Sequence, residues 1–179
     1  MRLFLAVLIA AGSLFAAGDL SGRRAPGFSL PDATARYHDP QDYRGRIVIV
    51  DFMSTSCPHC STFSKILEKV KAKYAGKVAV LMVVNPPADN QSTVTRYAAA
   101  HKITSPILFD CGQVAASYLK ITPQNPGFDI PHFFVIDQQG MIRHNYGYSL
   151  LNKDIFEGNG IFPIIDSMLG GAAPAGKKK

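Results

Sequence analysis

The chain has 179 residues, 47% of them hydrophobic and 18% charged, with three Cys and no Trp, which is the size and balance of one ordinary globular domain. Of its net charge of +6, Arg2 and the terminal Lys177, Lys178 and Lys179 carry four, leaving +2 for residues 19–176. Near-neutrality without a basic patch interleaved with aromatics argues against nucleic acid as a partner.

The first eighteen residues differ from the rest. Met1-Arg2 gives a basic start, Leu3 to Phe15 is apolar, and Ala16-Ala17-Gly18 offers small residues for cleavage before Asp19. This pattern predicts a signal peptide at 1–18 and export to the periplasm or the cell exterior. The apolar stretch is shorter than the roughly 20 residues that cross a bilayer, so cleavage, leaving no stable span, is expected over the alternative of an N-terminal anchor facing the periplasm. Gly170 to Lys179, rich in Gly and Ala and ending in three lysines, reads as a solvated, disordered tail. Residues 19–169 form the expected domain.

From Asp19 to Arg44 the pattern is irregular and broken by Pro26, Gly27, Pro31 and Pro40, predicting a loosely attached segment with room for a hairpin. Ile47-Val48-Ile49-Val50, continued by Asp51-Phe52, is a β-branched run typical of a strand buried on both faces of a largely parallel sheet. Phe63, Ile66, Leu67, Val70 and Tyr74 then lay an apolar stripe along a helix ending near Gly76. Val78 to Val84 is a second buried strand. Asn85 to Asn90 closes it, and Ser92 can cap a helix running to about His101. Pro106 to Phe109 is a short strand or connector, and Asp110 can cap a helix through Tyr118. Thr122 to Asp129 reads as a surface loop. His132–Ile136 and Met141–Asn145 flank a turn in which Gly140 can supply positive φ, predicting a hairpin, and Ile161 to Leu169 is a final helix.

Cys57-Pro58-His59-Cys60 falls between the first buried strand and the first helix. Pro58 suits the first helical position, where its missing N–H would be unpaired anyway, and Cys57 is then aimed at the helix N-terminus. Free amides and the positive end of the helix dipole favour a thiolate there, and His59 would favour it further by bonding to the sulfur. Cys57 is the expected nucleophile. Cys60, one turn on and more buried, is the expected resolving thiol, so the redox group is the Cys57–Cys60 dithiol or disulfide and no other cofactor is expected. C-x-x-C could instead be half of a metal site, but no second C-x-x-C or H-x-x-x-H supplies the remaining ligands, and no metal is expected. A purely structural disulfide is the other alternative. Asp51 is costly inside an apolar strand without a partner, and desolvation there would raise its pKa, making it a candidate proton acceptor for Cys60. Pro131 opens a strand whose missing N–H an edge tolerates, and pattern alone would make its peptide bond trans.

Ala25-Pro26-Gly27-Phe28-Ser29-Leu30, Arg44 to Phe52, Cys57-Pro58-His59-Cys60 and Ile130-Pro131, in that order, resemble the thioredoxin-like proteins of the TlpA and ResA type over residues 24 to 168. The resemblance implies an α/β thioredoxin-like fold, a central mixed sheet flanked by helices behind an N-terminal extension. It also implies a cis-proline loop at Pro131 beside the cysteines, placing Ile130 and His132 at a substrate groove, and a buried Asp51 six residues before the first cysteine. The implied function is that of an exported, monomeric thiol-disulfide oxidoreductase acting on protein thiols or disulfides, supplied by a membrane or soluble redox partner. Three departures stand out: Ser56 replaces the usual Trp before the first cysteine, His132 replaces the usual Thr after the cis-proline, and Thr122 to Asp129 resembles an insertion. Cys111 takes a position where the family commonly has proline, and a free, structural thiol is expected.

The Pro-His dipeptide is that of the oxidant DsbA, while the surrounding chain resembles the reductive TlpA type, and the balance leans towards reduction. A thiol peroxidase of peroxiredoxin type is an alternative, although Ser54 stands where its Thr would be, three residues before the cysteine, and Val50 where its Pro would be. A copper carrier using Cys57, Cys60 and His132 is the non-enzymatic alternative.

Overall fold

The computed structural model describes residues 21–170; the expected signal peptide and the tail from residue 171 onwards lie outside it. A hairpin, β1 (Leu30–Pro31) and β2 (Tyr37–His38), leads through a 3-10 turn at Pro40–Tyr43 into β3 (Ile47–Phe52). There follow α1 (Pro58–Lys73), β4 (Val78–Val84), α2 (Gln91–His101), β5 (Ile107–Phe109), α3 (Gln113–Leu119), β6 (His132–Ile136), β7 (Ile142–Gly147), α4 (Lys153–Phe156) and α5 (Ile161–Gly170). The main sheet has the order β5-β4-β3-β6-β7. Strands β3, β4 and β5 run parallel, while β6 and β7 run antiparallel, so the sheet is mixed.

Every residue of β3 and β4 is buried, as their unbroken apolar runs require of strands covered on both faces. Alternation sends Ile47, Ile49 and Met53 into a core with α1, α2 and α5, and Val48, Val50 and Phe52 into a second core with Phe28 and α3. Gly140 has φ of +85° and closes the β6–β7 turn, its amide bonded to the Asp137 carbonyl at 2.9 Å.

Three local expectations need correction. The leading segment is not loosely attached: Gly22 N bonds to Ile142 O at 2.7 Å, Tyr118 OH donates to Pro26 O at 2.9 Å, and Phe28 enters the second core. Helix α2 is capped by Asn90, not Ser92, because the Asn90 side chain accepts from both Ser92 N and Thr93 N while Thr93 Oγ1 reaches back to Asn90 N. Gly170 closes α5 and is not the start of the tail. Helix α4, a single turn, gave no sequence signal because four residues are too few for a periodic stripe.

Candidate active site

Cys57 stands where β3 hands the chain to α1. It is the N-cap residue of α1, in extended conformation, with Pro58 at the first helical position. Its half-buried Sγ accepts a hydrogen bond from Cys60 N at 3.2 Å and lies 4.0 Å from the Ile130 carbonyl oxygen. A sulfur here fills the place that a Ser or Asp oxygen usually takes in satisfying the free amides of a first turn. An amide donor and the positive end of the helix thus converge on Cys57 Sγ, an arrangement that favours negative charge on that sulfur.

Cys60, one turn into α1, is fully buried. Burial first, and then its hydrogen bond to Cys57, push its thiol far up from the usual range. Alternation along β3 places Asp51 on the same sheet face, and it too is fully buried, with neither carboxylate oxygen holding a hydrogen-bond partner. Burial pushes its carboxyl well above the usual carboxylate range. Once ionised, Asp51 is a carboxylate whose basicity burial has raised, on the same sheet face as the Cys60 thiol, so a proton could pass from Cys60 to Asp51. Tyr97 on α2 closes this floor, its hydroxyl bonded to Ser64 Oγ at 2.8 Å, and sequence reasoning missed it because a Tyr in a helix stripe looks like ordinary core.

The Ile130–Pro131 peptide bond is cis, as the resemblance implied and pattern alone did not. Pro131 is buried, and its carbonyl accepts from Tyr148 N at 3.0 Å. The exposed His59 ring stacks on Tyr148, centroids 4.2 Å apart and planes 22° from parallel, and Tyr148 meets Phe156 edge-on at 5.4 Å. His59 is therefore held against an aromatic ring, while the hydrogen bond to Cys57 Sγ comes from the Cys60 amide. Nothing in the sequence marked Tyr148, one residue past a strand in a loop.

His132 is on the other face. Its ring stacks on Phe134 at 5.1 Å and 24°, so it belongs with the second core, away from Cys60 and Asp51. Burial lowers its pKa to about 4, partly offset by Asp129 and a hydrogen bond to Asn145, and its buried Nε2 has no partner. Among the described residues no three His, Cys, Asp or Glu side chains converge as metal ligands. Cys111 is free but exposed, ahead of α3, so it does not pack as the expected structural thiol; the Asp110 carboxylate before it caps α3 through Val114 N and Ala115 N. The loop from Thr122 to Asp129 is exposed throughout and leads into the cis-proline.

Residues 21–145 match the sequence profile of the AhpC/TSA family. The chain is 27% identical over 139 residues to the thioredoxin-like protein YneN of Bacillus subtilis, covering 77% of this chain and 78% of that protein. It is 25% identical over 134 residues to the thiol-disulfide oxidoreductase ResA of Geobacillus thermodenitrificans, covering 75% and 73%. Its fold is that of a crystal structure described as a putative thiol:disulfide interchange protein DsbE from Chlorobium tepidum, with a TM-score of 0.64 at 21% identity over 81% of this chain and 97% of the other.

Proposed function

The chain belongs to the AhpC/TSA family and has a thioredoxin-like fold, and from that footing we propose that it is a thiol-disulfide oxidoreductase exchanging electrons with protein cysteines through Cys57 and Cys60. One observation carries the reading: Cys57 Sγ caps α1 on the Cys60 amide, partly open to solvent, with the second thiol buried one turn behind it. In the reductive direction the Cys57 thiolate attacks a substrate disulfide, forming a Cys57–substrate disulfide and releasing one substrate thiolate. Cys60, losing its proton towards Asp51, then attacks Cys57 Sγ, forming Cys57–Cys60 and releasing the second. Two electrons pass to the substrate, and a redox partner must return them. The Ile130 carbonyl, 4.0 Å from Sγ, borders the path of the incoming sulfur.

Export follows from the leader pattern at residues 1–18, and it would place the dithiol where disulfides persist. Among the described residues no helix is long and apolar enough to cross a membrane. Reduction is the proposed direction. A midpoint potential near thioredoxin's, about −270 mV, supports it, and one near about −120 mV would reverse it.

The test is a pair of variants. Cys57→Ser loses exchange down to the uncatalysed rate, and Cys60→Ser accumulates a mixed disulfide on Cys57, mapped by mass spectrometry. Undiminished exchange by Cys57→Ser, or a trapped adduct on Cys111, would overturn the assignment. Peroxide turnover without thiol exchange would favour the peroxidase alternative.

A further inference from the structure

Ser56 stands one residue before the nucleophile and rims an open groove of about 300 Å³ that runs along α2. In that helix Thr93, Arg96, Tyr97, Ala100 and His101 recur at i, i+3, i+4, i+7 and i+8, so they form one face, and all five line the groove with Ser56 and Thr55. The groove lies along α2, which links β4 to β5, while His59 stacks on Tyr148, the residue that follows β7.

The lining has one sign of charge. Arg96 and His101 are its only ionisable side chains apart from the Tyr97 phenol, whose hydroxyl is already bonded to Ser64, and no Asp or Glu lines it. Asp89 is buried behind the lining, with its Oδ1 accepting from Thr55 N at 2.9 Å. Arg96 is exposed, and none of the ion pairs among the described residues engages it. A guanidinium without a carboxylate, beside hydroxyls and an imidazole, is a fork shaped for a carboxylate.

We propose that this groove is a substrate subsite that receives a carboxylate lying beside the reacting sulfur, with Arg96 as its specificity-determining residue and His101 and Ser56 at its edge. The proposal rests on the thiol-exchange reading and adds the charge of the substrate to it. The carboxylate can come from an acidic side chain flanking a protein cysteine or from a small acidic thiol such as glutathione. Because the groove is open, its pairing is of the solvent-exposed kind and selects by a modest factor, mainly through encounter and KM.

The experiment compares kcat/KM for two disulfide peptides that differ only in a Glu or a Gln beside the cysteine, with oxidised glutathione alongside. Wild-type protein prefers the Glu peptide by about three- to fivefold at low salt, and 1 M salt erases the preference. Arg96→Gln collapses the ratio and Arg96→Glu inverts it. Since both peptides are measured on one preparation, the ratio is independent of how much of a variant is folded. Glutathione losing rate in Arg96→Gln as the Glu peptide does identifies a small acidic thiol as a fitting source; loss confined to the peptide identifies a protein side chain. Equal turnover of both peptides by wild type, or a Glu preference that survives Arg96→Glu, overturns the subsite alone. No turnover of either peptide overturns the exchange reading, and the subsite with it.

Discussion

Asp51, under the dithiol, and Asp32, in the β1–β2 hairpin, are two acids withdrawn from water and treated in opposite ways. At Asp32 burial opposes ionisation, but hydrogen bonds from the His38 and Thr34 side chains and from Thr34 N and Arg36 N outweigh it, bringing the pKa to about 2. His38 Nε2 sits 3.0 Å from one carboxylate oxygen, and His38 Nδ1 is 3.0 Å from Tyr43 OH, so the hairpin, His38 and the 3-10 turn are tied by one satisfied network. Asp51 has no such bond at either oxygen, and burial drives it the other way. A fold that satisfies one acid so fully and leaves another bare has spent stability at the second, as chains do where chemistry is located.

Breaking the bare site should give the largest effect. Asp51→Asn keeps the shape and removes the proposed proton acceptor, so release of the mixed disulfide by Cys60 should slow about 100-fold in stopped-flow measurements. Its stability moves the opposite way. The folded pKa of Asp51 lies above the unfolded value near 3.8, so its contribution is intact at low pH and is lost as pH rises towards the folded value. Asn has nothing to ionise on unfolding, and at pH 7 the variant should be more stable by about 1–3 kcal/mol in urea titrations. An unchanged release rate with raised stability would make Asp51 a packing defect and nothing more.

His132 extends the comparison to a base. Its folded pKa of about 4 lies below the ordinary 6.5, so its stabilising contribution is full above pH 6.5 and is lost as pH falls from 6.5 to 4, where only the unfolded chain takes up the proton. The loss should reach about 2–3 kcal/mol, and His132→Phe, whose ring can keep the stack on Phe134, should flatten stability across that window. The partnered acid should matter at lower pH still. Asp32 contributes above its unfolded pKa, and the contribution is lost as pH falls from about 4 to 2, so Asp32→Asn should cost about 1–2 kcal/mol at pH 7 and little at pH 2. Acid unfolding curves that coincide for wild type and Asp32→Asn would sever the link between that network and stability.

The same contrast explains what could be read from the chain beforehand. β3, β4 and α1 were legible because burial on both faces of a strand, or on one stripe of a helix, writes a period into the sequence, and Asp51 stood out because it violates that period. Cys57 and Cys60 were legible from spacing and from Pro58 between strand and helix. The cis bond at Pro131 was legible only through the resemblance, since X–Pro sequence alone favours trans. The Asp32–His38–Tyr43 network was illegible: its members are local in sequence, but which side chain turns inwards depends on a two-residue hairpin with no apolar alternation to reveal it. Tyr148, just past β7, and Arg96, on α2, are remote in sequence from the cysteines, and only the fold brings Tyr148 onto His59 and Arg96 into one groove with Ser56.

His59 should give the smallest effect, and the structure sets its size. Without the structure, the imidazole is expected to bond to the sulfur and stabilise the reduced form directly. Instead its ring lies 4.2 Å over Tyr148, and the Cys60 amide holds the sulfur. What remains is the through-space influence of the imidazole on the first turn of α1, weakened because the ring is exposed. The sign follows from linkage: removing any stabilisation of the anionic, reduced sulfur makes reduction less favourable, so His59→Ala shifts the disulfide to a more negative potential. A full unit of thiolate stabilisation corresponds to about 30 mV, and the geometry places the shift below about that value. Tyr148→Ala separates the two contributions, since it frees the imidazole to turn towards Sγ and should move the potential the other way, by glutathione equilibria measured on both variants. A shift well beyond 30 mV in His59→Ala would mean that the ring leaves Tyr148 for the sulfur when Cys57 ionises. No shift in either variant would leave the Cys60 amide and the helix terminus to set the reactivity of Cys57 without it.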